Sequence, residues 1–389
     1  MALTVGIIGL PQSGKTTLFN ALTRAGAQIS GYPTSTVQAN RAVVQVPDER
    51  LTRLAEIFHP RKVVPTTMEF VDVAGLGQQA AQSADAKHEG LSAEFIGHIR
   101  NADALAVVIR CFDSLQAPHP AGSLNAIRDL ENLMGELAIT DLTTVEKRID
   151  SVGRKAKSGD KKLMEEVTFL QRLRAHLDEG RLASELTFNA PEETILKELF
   201  LLTIKPLFYV ANVSEDALAE AANLIDHSET SADPTRADLA AVAALRDRAR
   251  AEGTEVIAVA ARLEAELGEL SDEDAAEYLT ALGLPRLGAD RVIQVGYTTL
   301  NLISFLTAGE DEVRAWTVTR GSKAPVAAGK IHTDFERGFI RAEVVHYDDL
   351  MADGGSMKTA REHGHIRLEG KDYVMRDGDI VEFRFNVSK

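Results

Sequence analysis

Gly9-Leu10-Pro11-Gln12-Ser13-Gly14-Lys15-Thr16 follows an apolar run at residues 5–8 and opens a stretch of helical character at 17–22. A strand, a glycine-bounded loop and a helix in that order make a phosphate cradle: backbone N–H groups wrap the anion at a helix N-terminus. The lysine reaches the β and γ phosphates, and the Thr16 hydroxyl is a Mg²⁺ ligand. Gln12, Ser13, Gly14, Lys15, Thr16 and Thr17 are therefore the expected phosphate-side contacts, and the chain is expected to bind a nucleoside triphosphate. The same feature restricts the fold, because it belongs to the C-terminal edge of a strand in an α/β sheet.

The rest of the chain agrees. Apolar strand patterns recur at 4–8, 42–46, 68–73, 105–109, 207–211 and 256–260, with helical patterns among them, which is the grammar of a doubly wound α/β domain. Between the fourth and fifth runs, apolar residues at three- and four-residue spacings mark helices over 125–156 and 163–177, and Asp160 is placed to cap the second. This reads as an inserted antiparallel helical hairpin. From about 305 the pattern changes to short alternating stretches at 314–318, 339–345, 366–368 and 381–385, and 371–376 reads as a strand leading through Asp377-Gly378-Asp379 into another. The expected organisation is a discontinuous nucleotide domain at 1–122 and 200–304, the hairpin at 123–199, and a small β domain at 305–389.

A chain of 389 residues is too long for one ordinary core, so more than one domain is expected. No apolar run approaches the ~20 residues that cross a bilayer, and no signal peptide is expected ahead of the first strand. The single cysteine, Cys111, points to a reducing, cytoplasmic setting and reads as a small buried hydrophobe. A net charge of -15 argues against a general nucleic-acid binder such as a DNA-coating protein. The charge is uneven, however. Residues 147–162 carry Lys147, Arg148, Arg154, Lys155, Lys157, Lys161 and Lys162 against Asp150 and Asp160. A basic hairpin tip of this kind suits ribosomal RNA, and equally a solvated helix face.

Asp72-Val73-Ala74-Gly75 ends the third run. A carboxylate there can hold Mg²⁺ through water, and the Gly75 N–H can meet the γ-phosphate. Leu76 stands where switch GTPases carry a water-orienting Gln. Thr36, with Thr34 as a competitor, lies in the loop where such enzymes place a Thr that meets Mg²⁺ only beside a γ-phosphate. After the fifth run, Asn212-Val213-Ser214-Glu215 replaces the N-K-x-D that reads guanine. The missing short Asp removes a buried pairing that discriminates strongly, so guanine selectivity is expected to be lost.

Together with Arg110-Cys111-Phe112, Val313-Arg314-Ala315-Trp316 and residues 329–344, these motifs resemble the YchF family, also called the Obg-like ATPases, over essentially the whole length. The resemblance implies a P-loop ATPase of the translation-factor class with an inserted helical hairpin and a C-terminal TGS module of β-grasp fold. It further implies ATP as substrate with Mg²⁺, slow hydrolysis, and association with the ribosome, through RNA and protein, in the cytoplasm. It assigns the missing Gln's work to a His in the loop after Arg-Cys-Phe, which is His119 here, so the catalytic set it implies is Lys15, Gly75 and His119. Gln12 stands where the family usually has an Asn that helps hold K⁺, which leaves K⁺ activation open. Ala260-Ala261-Arg262 replaces Ser-Ala-Lys beside the base, where Ala260 and Ala261 join Asn212, Val213 and Glu215. Two other readings stay open: a GTPase of the same fold, and a nucleotide-sensing binding protein whose turnover is incidental.

Overall fold

The computed structural model describes residues 3–24, 40–73, 91–114, 117–157, 159–227, 235–284 and 286–386. Its strands are β1 (Thr4–Ile8), β2 (Asn40–Gln45), β3 (Lys62–Val64), β4 (Thr67–Asp72), β5 (Ala104–Arg110), β6 (Leu207–Asn212), β7 (Val256–Val259), β8 (Leu302–Ala308), β9 (Glu312–Thr319), β10 (Phe339–His346), β11 (Arg367–Glu369) and β12 (Asp379–Phe385). They form two six-stranded sheets, ordered β2-β4-β1-β5-β6-β7 and β11-β10-β12-β8-β9-β3. The chain divides into two compact units: Met1–Val43 with Glu69–Val292, and Val44–Met68 with Ile293–Lys389.

In the first unit β1 is hydrogen-bonded in parallel to β4 on one side and to β5 on the other. The strand order therefore reverses at β1, and the loop leaving its C-terminal end sits at the crevice where such sheets bind ligands. Every residue of β1 and of β5 is buried, as a parallel sheet covered on both faces requires. The six strand patterns read from the sequence all form here.

The hairpin forms from helices Ala126–Ala156 and Lys161–Asp178, and the Asp160 carboxylate caps the second by accepting from the N–H groups of Lys162 and Leu163. The first helix serves two cores. Ala126, Leu130, Leu133, Met134 and Leu137 pack with Val107 and Ile109 of the sheet, whereas Val145 packs with Phe169, Leu170, Leu173, Leu196 and Leu199. Its first turns thus belong to the core of the nucleotide unit, beyond the reading that starts the insert at 123. Buried Asp141 fixes the return of the chain, accepting from Leu202 N and Thr203 N at 2.8 Å and from Thr203 Oγ1 at 2.7 Å.

The second unit is a mixed sheet in which the first and last strands of its C-terminal stretch, β8 and β12, lie parallel at the centre. β9 is antiparallel to β8, and β10 is antiparallel to both β12 and β11. Period-2 alternation sends Phe305 to one face, against Ala324, Ala327 and Ala328 of helix Ala324–Ile331, and Leu306 to the other. That second face is covered by Leu51 and Leu54 of helix Glu49–Phe58, and β3 adds an edge strand parallel to β9. Residues 44–68 thus supply a helix and a strand that a boundary at 305 leaves with the other domain. A second difference concerns 371–376, which forms only an isolated bridge between Val374 and Lys323. The Asp379 carboxylate accepts from Arg376 N and Tyr373 Oη, and these side-chain bonds bend the segment where a ladder would need it straight.

Candidate functional site

The phosphate loop runs from β1 into helix Lys15–Arg24, which Thr16 and Thr17 continue. Gly14 takes φ +93°, in the left-handed region, and a Cβ there would collide with Nδ2 of Asn212, so only glycine fits. Gln12, exposed at the loop's outer edge, adopts φ +63°, an uncommon conformation for a side-chain-bearing residue and one found often at ligand-binding loops. Ser13 is buried, and its Oγ has no hydrogen-bond partner among the described residues.

Lys15 is 7% exposed. Its ammonium donates to the carbonyls of Gly9 and Leu10, each at 2.9 Å, which leaves the third donor for a phosphate oxygen. Burial lowers its pKa to about 8, against the opposing pull of Asp72. Thr16 Oγ1 donates to Asp72 Oδ2 at 2.9 Å, and Asp72 Oδ1 is buried with no hydrogen-bond partner among the described residues. Burial raises the Asp72 pKa, while the Thr16 hydrogen bond and the Lys15 charge pull it down. A hydroxyl and a carboxylate with spare acceptor capacity at a phosphate loop are the donor set that hard Mg²⁺ takes. Thr36, its competitor Thr34, Gly75 and Leu76 lie outside the described residues.

Asn212, at the end of β6, ties three elements together. Its Nδ2 donates to the Ser13 carbonyl at 2.8 Å, and its Oδ1 accepts from Ala261 N at 3.1 Å. Ala260, Ala261 and Val213 are buried beside it. Glu215 is exposed and accepts a hydrogen bond from the Tyr278 hydroxyl. The sequence-selected base-side residues are therefore gathered at one end of the sheet, next to the phosphate loop.

His119 lies on the loop after β5. The Arg110 guanidinium shapes that loop: it donates to the carbonyls of Phe112 and Ala117 and stacks over the Phe112 ring at 4.5 Å. Cys111, between them, is fully buried, and burial pushes its thiol pKa up. His119 Nδ1 accepts from Ala121 N at 3.1 Å, so Nε2 carries the proton and donates to Asp129 Oδ2 at 2.7 Å. Asp129 sits in the first turn of the hairpin's first helix and also accepts from Arg128. A cavity of about 230 Å³ joins Pro11 and Ser13 of the phosphate loop to Arg110, His119, Asp129 and Asn132. Sequence reasoning missed Asp129 and Tyr278. Asp129 reads as an ordinary first-turn acid, and Tyr278 carries no motif at all.

A reversing strand order with a glycine loop, a buried lysine and a Thr–Asp pair at its end defines a P-loop nucleoside triphosphatase. Residues 4–147 match a family model described as 50S ribosome-binding GTPase, and residues 302–386 match the YchF-GTPase_C model, described as a protein of unknown function. Over 387 residues, spanning the full length of each chain, the sequence is 46% identical to "Ribosome-binding ATPase YchF" of Bacillus subtilis and 43% identical to the Escherichia coli O157:H7 protein of the same name. The structure of the Schizosaccharomyces pombe YchF GTPase superposes with a TM-score of 0.80 at 32% identity, covering 98% of both chains. The chain belongs to the YchF family.

Proposed function

We propose that this protein is an ATP-hydrolysing switch that acts on the ribosome in the cytoplasm, with the second unit serving as its TGS module. ATP would sit with its phosphates on residues 12–17 and its base beside Asn212, Val213, Glu215, Ala260 and Ala261. Thr16 and Asp72, with Thr36, would hold Mg²⁺, which neutralises charge on the β and γ phosphates when bound. No helix among the described residues is long and apolar enough to cross a membrane.

The observation that carries the choice of ATP is Glu215, which replaces the guanine-reading Asp and whose carboxylate is engaged by Tyr278. Because the S. pombe relative is named a GTPase, direct competition is the test. ATP is expected to displace a fluorescent nucleotide at lower concentration than GTP. Glu215→Asp shortens the side chain away from Tyr278 and is expected to move the ATP/GTP ratio about fivefold or more toward GTP, the scale of one gained polar pairing. Val213 is buried, so restoring a lysine there would test stability rather than selectivity. GTP preference in the unmodified chain would overturn the ATPase reading.

Ribosome association is supported by the relatives' names and by the hairpin tip. Arg148 is drawn off there by Glu166 and Glu198, at 2.8 and 3.0 Å, whereas Lys157, Lys161 and Lys162 are exposed and the Lys161–Glu165 pair stands at 4.0 Å. Reversing Lys157, Lys161 and Lys162 to Glu is expected to leave basal ATP hydrolysis unchanged. Ribosome affinity should fall, and its salt dependence should flatten by up to about three in slope, because each lost phosphate contact removes released counterions. Co-sedimentation at several salt concentrations reads both. An unchanged slope would assign the contact to another surface.

A further inference from the structure

Asp353, His363 and His365 bring three ligand atoms within 4.8 Å of one another in the second unit, in a stretch to which no motif or family feature above gives a role. The local backbone explains the meeting. Helix Tyr347–Ala352 ends at Asp353, whose N–H bonds back to Asp349, and the left-handed residues Gly354 and Gly355, at φ +68° and +78°, turn the chain. Gly355 cannot be replaced easily, because a Cβ there would meet Ile57 Cδ1 at 2.7 Å. Ser356 then caps helix Met357–Glu362. That helix closes with a Schellman turn in which Gly364 takes φ +76°, Gly364 N bonds to Arg361 O and His365 N bonds to Ala360 O. The two histidines flank the left-handed glycine and so reach back to the same carboxylate.

Their geometry is selective. His363 Nδ1 lies 2.7 Å from Asp353 Oδ1, and His365 Nδ1 lies 2.7 Å from Asp353 Oδ2. The rings meet nearly edge to face, 5.9 Å apart at 76°. The carboxylate is 3% exposed and fixed, whereas the imidazoles are 58% and 40% exposed. As exposed rings they are free to turn and exchange each N–H···O contact for bonds of about 2.0–2.2 Å from nitrogen and carboxylate oxygen to a shared ion. The open side leaves further coordination positions to water.

We propose that Asp353, His363 and His365 bind one divalent transition-metal ion of borderline softness, with Zn²⁺ as the reference. Two imidazole nitrogens with a single carboxylate favour Zn²⁺, Co²⁺ or Ni²⁺ over Mg²⁺ and Ca²⁺, which take oxygen-rich shells. The ligands come from one short segment, so the unit's own turns build the site before any ion arrives.

The test uses the full-length, untagged, nucleotide-free chain with excess Mg²⁺ present to fill oxygen sites, titrated with Co²⁺ and followed by visible absorption. One Co²⁺ per chain is expected, with the spectrum of a nitrogen- and oxygen-ligated ion of low coordination number that Zn²⁺ abolishes by displacement. His363→Gln and His365→Gln each keep a donor for Asp353 but remove a metal ligand. Each is expected to weaken binding about 100-fold or more, at or beyond the loss typical of an outer-shell partner, with basal ATP hydrolysis unchanged as a check on folding. In the unmodified chain, the ring signals of His363 and His365 should be the imidazole resonances that Co²⁺ shifts most. Absence of saturable binding below millimolar Co²⁺, wild-type affinity in both variants, or shifts at other histidines alone would each overturn the proposal.

Discussion

Lys15→Ala is expected to weaken ATP binding by about 30- to several thousand-fold, the 2–5 kcal/mol scale of truncating one partner of a buried charged contact. The side chain is buried, two of its three donors are committed to the loop's own carbonyls, and the remaining one is left for an anion. Its removal takes away both a charge and the brace that shapes the loop. A pH arm separates these roles. Burial holds the Lys15 pKa near 8, and phosphates bound beside it would raise that value. Protonated lysine is then the binding form, so affinity should be flat below about pH 8. It should fall as pH rises, by about tenfold at pH 9, with proton uptake on binding. In Lys15→Ala the residual affinity should show no such fall. Calorimetry at pH 7, 8 and 9 in buffers of different ionisation enthalpy measures both quantities, and wild-type affinity in the alanine variant would remove Lys15 from the site.

Much of the first unit was legible because its signals are local. A glycine-bounded loop between a buried strand and a helix has one structural solution, and six apolar runs map onto β1, β2, β4, β5, β6 and β7. Asp160 could be read as a cap because capping is a contact within one turn. What failed was non-local. Residues 44–68 carry no mark of their destination, since a helix whose Leu51 and Leu54 face inward looks the same whichever sheet it covers. β3 is only three residues long and mostly exposed, too short for alternation to declare it. At 371–376 the pattern of a strand was present, but a buried carboxylate at Asp379, unreadable as an acceptor from sequence, claimed the Arg376 N–H.

The site divides in the same way. Lys15, Thr16, Asp72 and Asn212 could be selected because motif spacing encodes their chemistry, and the structure brings them together. The Asp129–His119 contact has no such code. It joins a loop to the first turn of a helix that the sequence assigns to a separate insert, and neither residue's type announces the other.

That contact makes Asp129 the second arm of any test of His119. An imidazole that deprotonates water needs a free nitrogen lone pair, and here Nδ1 accepts from Ala121 while Nε2 donates to Asp129. His119→Ala is expected to leave ATP affinity within about twofold and to slow hydrolysis by roughly 10²- to 10⁴-fold, the range of a positioned general base. Asp129→Asn, which keeps the size of the side chain but weakens a charge-assisted hydrogen bond by about 1 kcal/mol, should have the opposite effect. Releasing the ring is expected to raise basal hydrolysis about fivefold, and the double variant should be as slow as His119→Ala alone. If Asp129 instead orients His119 for catalysis, Asp129→Asn will be slower than the parent. Single-turnover hydrolysis of the four proteins at saturating ATP distinguishes these outcomes, and parent-rate turnover in His119→Ala would pass the catalytic role to another group.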